Sequence, residues 1–172
     1  MAYVTPAQLA ERPGARELAQ VASASFAAPV AADLMEATLR GTSRAAWTAD
    51  QIAAADDALA RIVEAVTEAD SIIDGFAAKR EYTLPFSPVP QLVTGWSRAI
   101  ARYKLHQDRI SDESTDPIAR DYRDAMKLLA ALAKGEFFLG ASDPIATAPD
   151  RLDVQFESSP SVFGRDQLDA YR

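Results

Sequence analysis

TADQIAAADDALARIVEAVTEADSIIDGFAAKR, residues 48–80, decides the fold. Thr48-Ala49-Asp50-Gln51 has the form of a capping box, a hydroxyl that caps the first turn with a glutamine three residues on. Neither Gly nor Pro occurs from Thr42 to Asp74. Apolar residues recur at Ile52, Ala55, Leu59, Ile62, Val66, Ala69, Ile73 and Phe76, in alternating steps of three and four. That spacing places them on one stripe of a helix. Asp57, Arg61, Glu64 and Glu68 fall on the other side, with Asp57 and Arg61 spaced as a favourable i,i+4 pair. A helix of about 30 residues would span roughly 45 Å.

Downstream, three prolines at 85, 88 and 90 fix an extended connection. Ser87-Pro88 has the form of an N-cap and first helical residue. Val89, Leu92, Val93, Trp96, Ala99, Ile100 and Tyr103 then follow helical spacing, and the helix is expected to end near Gln107–Arg109. Residues 110–116 are polar and loop-like. Asp116-Pro117 opens a third helix with a stripe of Ile118, Tyr122, Ala125, Leu129 and Leu132, closed by Lys134-Gly135. Upstream, Thr5-Pro6-Ala7-Gln8 is another capping box with Pro at the first helical position, and Pro13-Gly14 ends that short helix. Residues 15–23 suit another turn or two. Pro29 is expected to start a helix to Leu39 that Gly41 stops, with Phe26, Val30, Leu34, Met35, Leu39 and Trp47 its large apolar residues.

Residues 141–172 differ. Prolines stand at 144, 149 and 160. Leu152, Val154 and Phe156 alternate with Asp153, Gln155 and Glu157, the period of a strand over 152–157. A lone strand cannot satisfy its own backbone donors and acceptors, so it needs a partner in this chain or another. The expectation is an all-α bundle: three core helices at about 48–80, 88–108 and 116–134, flanking N-terminal helices, and an extended C-terminal arm. Residues 1–140 form the helical domain and 141–172 the interaction arm. Leu152, Val154, Phe156, Pro160, Val162 and Phe163 are the candidate partner-binding residues. The large apolar ones either fold back on the chain or dock on another subunit.

Composition narrows the function. Of 172 residues, 35 are Ala, which favours helix but contributes little burial. The core should be thin and reliant on neighbours. With no Cys there is no disulfide, thiolate metal ligand or thiol nucleophile, and the single His106 cannot build a multi-His metal site. No cofactor is expected. No apolar run reaches membrane-spanning length, and MAYVTPAQLAERPG lacks the pattern of a signal peptide. A chain that is intracellular when made is expected. The net charge of −7 argues against a protein whose main task is gripping phosphates.

Candidate chemistry is sparse. Asp56, Asp57, Glu64, Glu68, Asp70 and Asp74 read as a solvated helix face rather than a catalytic or di-metal set. His106 reads as a helix-terminus residue, with no nucleophile or orienting group set by spacing. Arg98, Arg102, Lys104 and Arg109 read as a salt-bridging surface before a DNA contact. Trp96, Tyr103 and Tyr122 read as core before a ligand cage. There is no nucleophile elbow and no Gly-rich phosphate loop. No enzyme is expected.

Several segments resemble the Mu-like phage and prophage head–tail connector proteins. They are the opening Met-Ala-Tyr-Val-Thr-Pro-Ala-Gln-Leu, Ile73-Asp74-Gly75-Phe76, Tyr82-Thr83-Leu84-Pro85 with Val89-Pro90, and Ala99-Ile100-Ala101-Arg102-Tyr103-Lys104-Leu105. Tyr122-Arg123-Asp124-Ala125 with Lys134-Gly135, and Ser159-Pro160-Ser161-Val162-Phe163-Gly164-Arg165-Asp166, continue the series. Their order and spacing carry the resemblance, which covers residues 1–22 and 48–172. Residues 24–47 depart from it as an extra helical insert.

The resemblance implies a structural role in the virion neck, for a protein made in the host bacterial cytoplasm. Such connectors form rings, often of twelve copies, below the portal around the DNA exit channel. The implied partners are the portal protein, neighbouring copies, the next neck or tail component, and genomic DNA that passes without sequence-specific binding. No membrane partner and no catalytic residues are implied. The alternative is a small helical regulatory or binding module acting as monomer or dimer. The arm separates the two: it folds back in a regulator and engages on assembly in an adaptor.

Overall fold

The computed structural model describes residues 2–23 and 28–140. Six α-helices run through them: α1 (Pro6–Leu9), α2 (Ala15–Ala22), α3 (Ala32–Arg40), α4 (Ala49–Ala77), α5 (Gln91–His106) and α6 (Pro117–Lys134). No strand occurs among the described residues. The fold is all-α. The expected strand at 152–157 and the arm residues Leu152, Val154, Phe156, Pro160, Val162 and Phe163 lie outside the described residues.

Helix α4 is the axis. It packs along α5 and also meets α2, α3 and α6, while α5 packs against α6 and α2 against α3. Its start follows the capping box: the Gln51 amide donates to Thr48 Oγ1 at 3.4 Å, and the Thr48 amide donates to Gln51 Oε1 at 3.0 Å. Its buried face holds Ala55, Ala58, Ile62, Ala65, Val66, Ala69, Ile73 and Ala77. Five of these eight are Ala, so α4 meets its neighbours through a ridge of methyl groups. Short side chains let helix axes approach closely and keep the core thin. The buried face also rotates away from the strict 3,4 stripe, and Ile52, Leu59 and Phe76 are only half-buried. A straight helix has 3.6 residues per turn, so a 3.5-residue pattern drifts around it.

The caps expected from sequence hold elsewhere. Thr5 and Gln8 exchange capping bonds at the start of α1. The Asp116 carboxylate accepts from the amides of Ile118 at 2.7 Å and Ala119 at 3.3 Å, with Pro117 at the first position of α6. Gly135 closes α6 at φ 79°, a conformation that favours glycine. Between α1 and α2 the chain kinks at Arg12 and turns through Pro13-Gly14.

Three boundaries differ from the sequence expectation. Helix α5 begins at Gln91, not Pro88, with Pro90 extended at φ −63°, ψ 141° as its N-cap. The reason is local: a residue before proline avoids the helical region, so Val89-Pro90 stops a helix from running on from Pro88. Helix α3 begins at Ala32 rather than Pro29. Helix α4 ends at Ala77, and 78–80 tighten into a 3₁₀ turn. Within the region read as an insert, Leu34, Met35 and Leu39 are buried, and Met35 and Leu39 join the common core.

Candidate interaction surface

One side of α5 is sealed. Val93, Ser97 and Ile100 face α4 and are fully buried. Ser97 Oγ donates to Asp70 Oδ1 at 2.6 Å, and the Tyr3 amide donates to Asp70 Oδ2 at 3.0 Å. The Tyr3 hydroxyl donates to Asp74, and the Phe86 amide donates to the Tyr3 hydroxyl at 3.4 Å. The Tyr3, Phe86 and Tyr82 rings follow one another with centroids 5.7 Å apart. This corrects the reading of Asp70 as a solvated acid: it is only 8% exposed. Burial lifts its carboxyl above the ordinary Asp range, against the opposing pull of the Ser97 hydroxyl and the Tyr3 amide. Burial, reinforced by Asp74, raises the Tyr3 phenol as well.

The other side of α5 is open. Leu92, Gly95, Trp96 and Ala99 form one stripe of α5, and Asp121, Asp124, Ala125 and Leu128 form one stripe of α6. Between them runs a groove of about 390 Å³, bounded also by Arg12, Pro13, Arg98 and Arg102. It exists because small residues line it: a Cβ added at Gly95 meets nothing within 4 Å. Leu92, expected in the core, is 41% exposed here, and Leu128 is 37% exposed across from it. The Trp96 side chain is buried and meets Phe137 edge-on, with centroids 6.1 Å apart.

Polar groups at this groove are unevenly satisfied. Arg102 holds Glu17 with two bonds of 2.6 and 2.8 Å, and that carboxylate raises the guanidinium's affinity for its proton. Asp124 lies 3.4 Å from Lys127, and Asp121 lies 3.6 Å from Arg120. Arg12 and Arg98 form no ion pair among the described residues. The Trp96 indole N–H and the Arg98 Nε–H are buried with no hydrogen-bond partner there. A buried donor left unpaired costs about 1–3 kcal/mol.

The remaining candidates fall into place around the bundle. Lys104 pairs with Glu68 at 2.6 Å, so Lys104 and Arg102 belong to a salt-bridging surface. His106 ends α5, its Nδ1 2.9 Å from the Arg102 carbonyl and its Nε2 3.4 Å from Glu17. Arg61 donates to the Ala22 carbonyl at the end of α2 rather than pairing with Asp57. Tyr103 and Tyr122 stack at 4.1 Å and 8°, half-buried, with the Tyr103 hydroxyl donating to Glu113. They are an edge of the bundle rather than its centre. No helix among the described residues is long and apolar enough to cross a membrane.

Sequence periodicity could not reveal the groove, because its two walls come from different helices. Its one linear signal is Gly95 in mid-helix, where a glycine lowers helix stability and so asks for a packing reason.

The family model described as Bacteriophage Mu, Gp36 matches residues 3–158. The Mu-like prophage FluMu protein gp36 of Haemophilus influenzae is 35% identical over 106 residues, 62% of this chain and 72% of that protein. No solved structure matches the chain.

Proposed function

Because the chain belongs to the Bacteriophage Mu Gp36 family, we propose that it is a head–tail adaptor of a tailed phage, assembled as a ring below the portal around the DNA exit channel. The observation that carries this reading is the family match over residues 3–158, which spans all six helices. The geometry supports it. A ring subunit must offer surface to its neighbours, and among the described residues Leu92 and Leu128 stay partly exposed on one face. A 32-residue arm with large apolar residues follows the bundle in sequence. The arm, chiefly Phe156, Val162 and Phe163, is the proposed anchor to portal or neighbour. A net charge of −7 suits a channel wall past which DNA slides without sticking, since phosphates are repelled by carboxylates. The role is mechanical and requires no catalytic step.

The test is electron microscopy of lysates from the phage with this gene switched off. Separate filled heads and finished tails are the expected result. Normal infectious particles would overturn the reading.

A further inference from the structure

The chain leaves α6 at Gly135 and forms neither helix nor strand from there to Gly140, yet three separate contacts hold it. The Phe137 ring meets Trp96 of α5 edge-on, with centroids 6.1 Å apart. The Leu139 amide donates at 3.4 Å to the hydroxyl of Tyr82, in the loop before α5. Between them, the Phe138 ring lies 5.4 Å from the Arg80 guanidinium, within reach of a cation–π contact. Burial alternates along the segment: Phe137 and Leu139 are half-buried against the core, whereas Phe138 is 52% exposed.

Arg80 ties this segment to two helix ends. It closes the 3₁₀ turn Ala78–Arg80 that follows α4. A Cβ built on Gly135 would stand 2.7 Å from Arg80 Nη1 and 3.1 Å from its Cζ, closer than side-chain carbons come. Gly135 thus meets two demands, a positive φ at the end of α6 and a guanidinium seated against its backbone. The cap itself is complete, with the Gly135 amide donating to the Leu132 carbonyl at 3.0 Å and the Glu136 amide to the Ala131 carbonyl at 2.9 Å. A cation at a helix C-terminus is favourably placed. The neighbouring Lys79 lies instead 5.4 Å from the Phe76 ring.

We propose that Arg80 is a positioning residue for the C-terminal arm: seated on Gly135 and Phe138, its guanidinium fastens residues 136–140 to the bundle and fixes where residues 141–172 leave it. The consequence for assembly rests on the adaptor reading. An arm with a fastened root meets its binding surface at a higher effective concentration, and loses less freedom on docking, than one that swings from a loose root.

The first readout is hydrogen exchange, followed amide by amide by NMR in the full-length protein. Arg80→Ala should speed exchange at Leu139 at least tenfold and leave Leu129 and Leu132, inside α6, within about twofold. Gly135→Asn reaches the same contact from the other side. Asn tolerates the left-handed conformation, but its Cβ displaces the guanidinium. It should loosen Leu139 alike, and add less than twofold once Arg80 is already Ala, because the two changes remove one contact. Unchanged exchange at Leu139 in Arg80→Ala would overturn the proposal. So would equal acceleration at Leu129 and Leu132, the mark of ordinary lost stability, or effects of the two changes that multiply. The second readout is the titre of gene-deleted phage supplied with the variant gene. Arg80→Ala should lower it at least tenfold relative to the native gene. A loosened root with full titre would overturn the positioning role and leave the adaptor role standing. Infectious particles formed without the gene would instead remove the adaptor role, and the exchange result would still decide whether Arg80 fastens the root.

Discussion

The two sides of α5 stand in contrast. On one side Ser97 finds Asp70, Val93 and Ile100 are sealed against α4, and the polar atoms that point inward are paired. On the other side, one residue along, Trp96 and Arg98 each bury a donor without an acceptor, and Leu92 stands uncovered. The same helix, with the same propensities, is finished on one face and open on the other. Folding alone completes a face when both partners belong to the chain. A face that keeps buried donors unpaired carries a cost that the sealed face does not.

The contrast can be broken by truncation. Ile100→Ala on the sealed side should lower unfolding stability by about 2–5 kcal/mol, because it leaves a cavity. Leu92→Ala, two turns away on the open side, should change it by only about 0.5 kcal/mol or less. Urea unfolding of the two variants side by side is the measurement. Equal losses would mean that the groove is part of the folding core and that the two sides do not differ.

A second experiment sharpens the sealed side. Asp70→Ala leaves the Tyr3 amide and the Ser97 hydroxyl unpaired in the interior, a loss of about 2–3 kcal/mol. Asp70→Asn keeps the shape and removes the charge. Burial raises the folded-state pKa of Asp70 above the unfolded value of 3.8, so the folded protein holds this proton more tightly. The group's contribution is therefore most favourable below 3.8 and is lost as pH rises through the folded value. Thermal unfolding across that window should show the native protein falling relative to Asp70→Asn as pH increases. A constant difference would mean that the carboxyl titrates alike in both states.

The smallest effect is on the open side. Gly95→Ala has room for its methyl group and should stabilise α5 by about 0.5–1 kcal/mol. A thermal melt that falls instead would show that the space above Gly95 is used within the subunit.

Much of this architecture is legible in local sequence. The capping boxes at Thr5 and Thr48, the Asp116-Pro117 start and the Gly135 stop are short-range devices, and each acts where it was expected. The start of α5 differs from the sequence expectation for a local reason, the restriction that Pro90 places on Val89, but the errors at the two sides of α5 share another cause, distance along the chain. Asp70 looks like one more acid on a polar helix face, because the residues that bury and pair it stand 67 residues before it and 27 after it. Leu92 falls on the apolar stripe of α5, and only the placement of α6 shows that it stays 41% exposed among the described residues. The candidate arm residues Leu152, Val154, Phe156, Pro160, Val162 and Phe163 read in the sequence as apolar residues in a polar setting, and they lie outside the described residues.

The Tyr3 tie also sets an order of events during synthesis. Tyr3 emerges from the ribosome early, but Phe86, whose amide donates to its hydroxyl, follows 83 residues later. At 5–20 residues per second that interval is roughly 4–17 s. Tyr3 therefore waits that long for its bond from the loop, although Asp70 and Asp74, which it also engages, precede Phe86 in the chain.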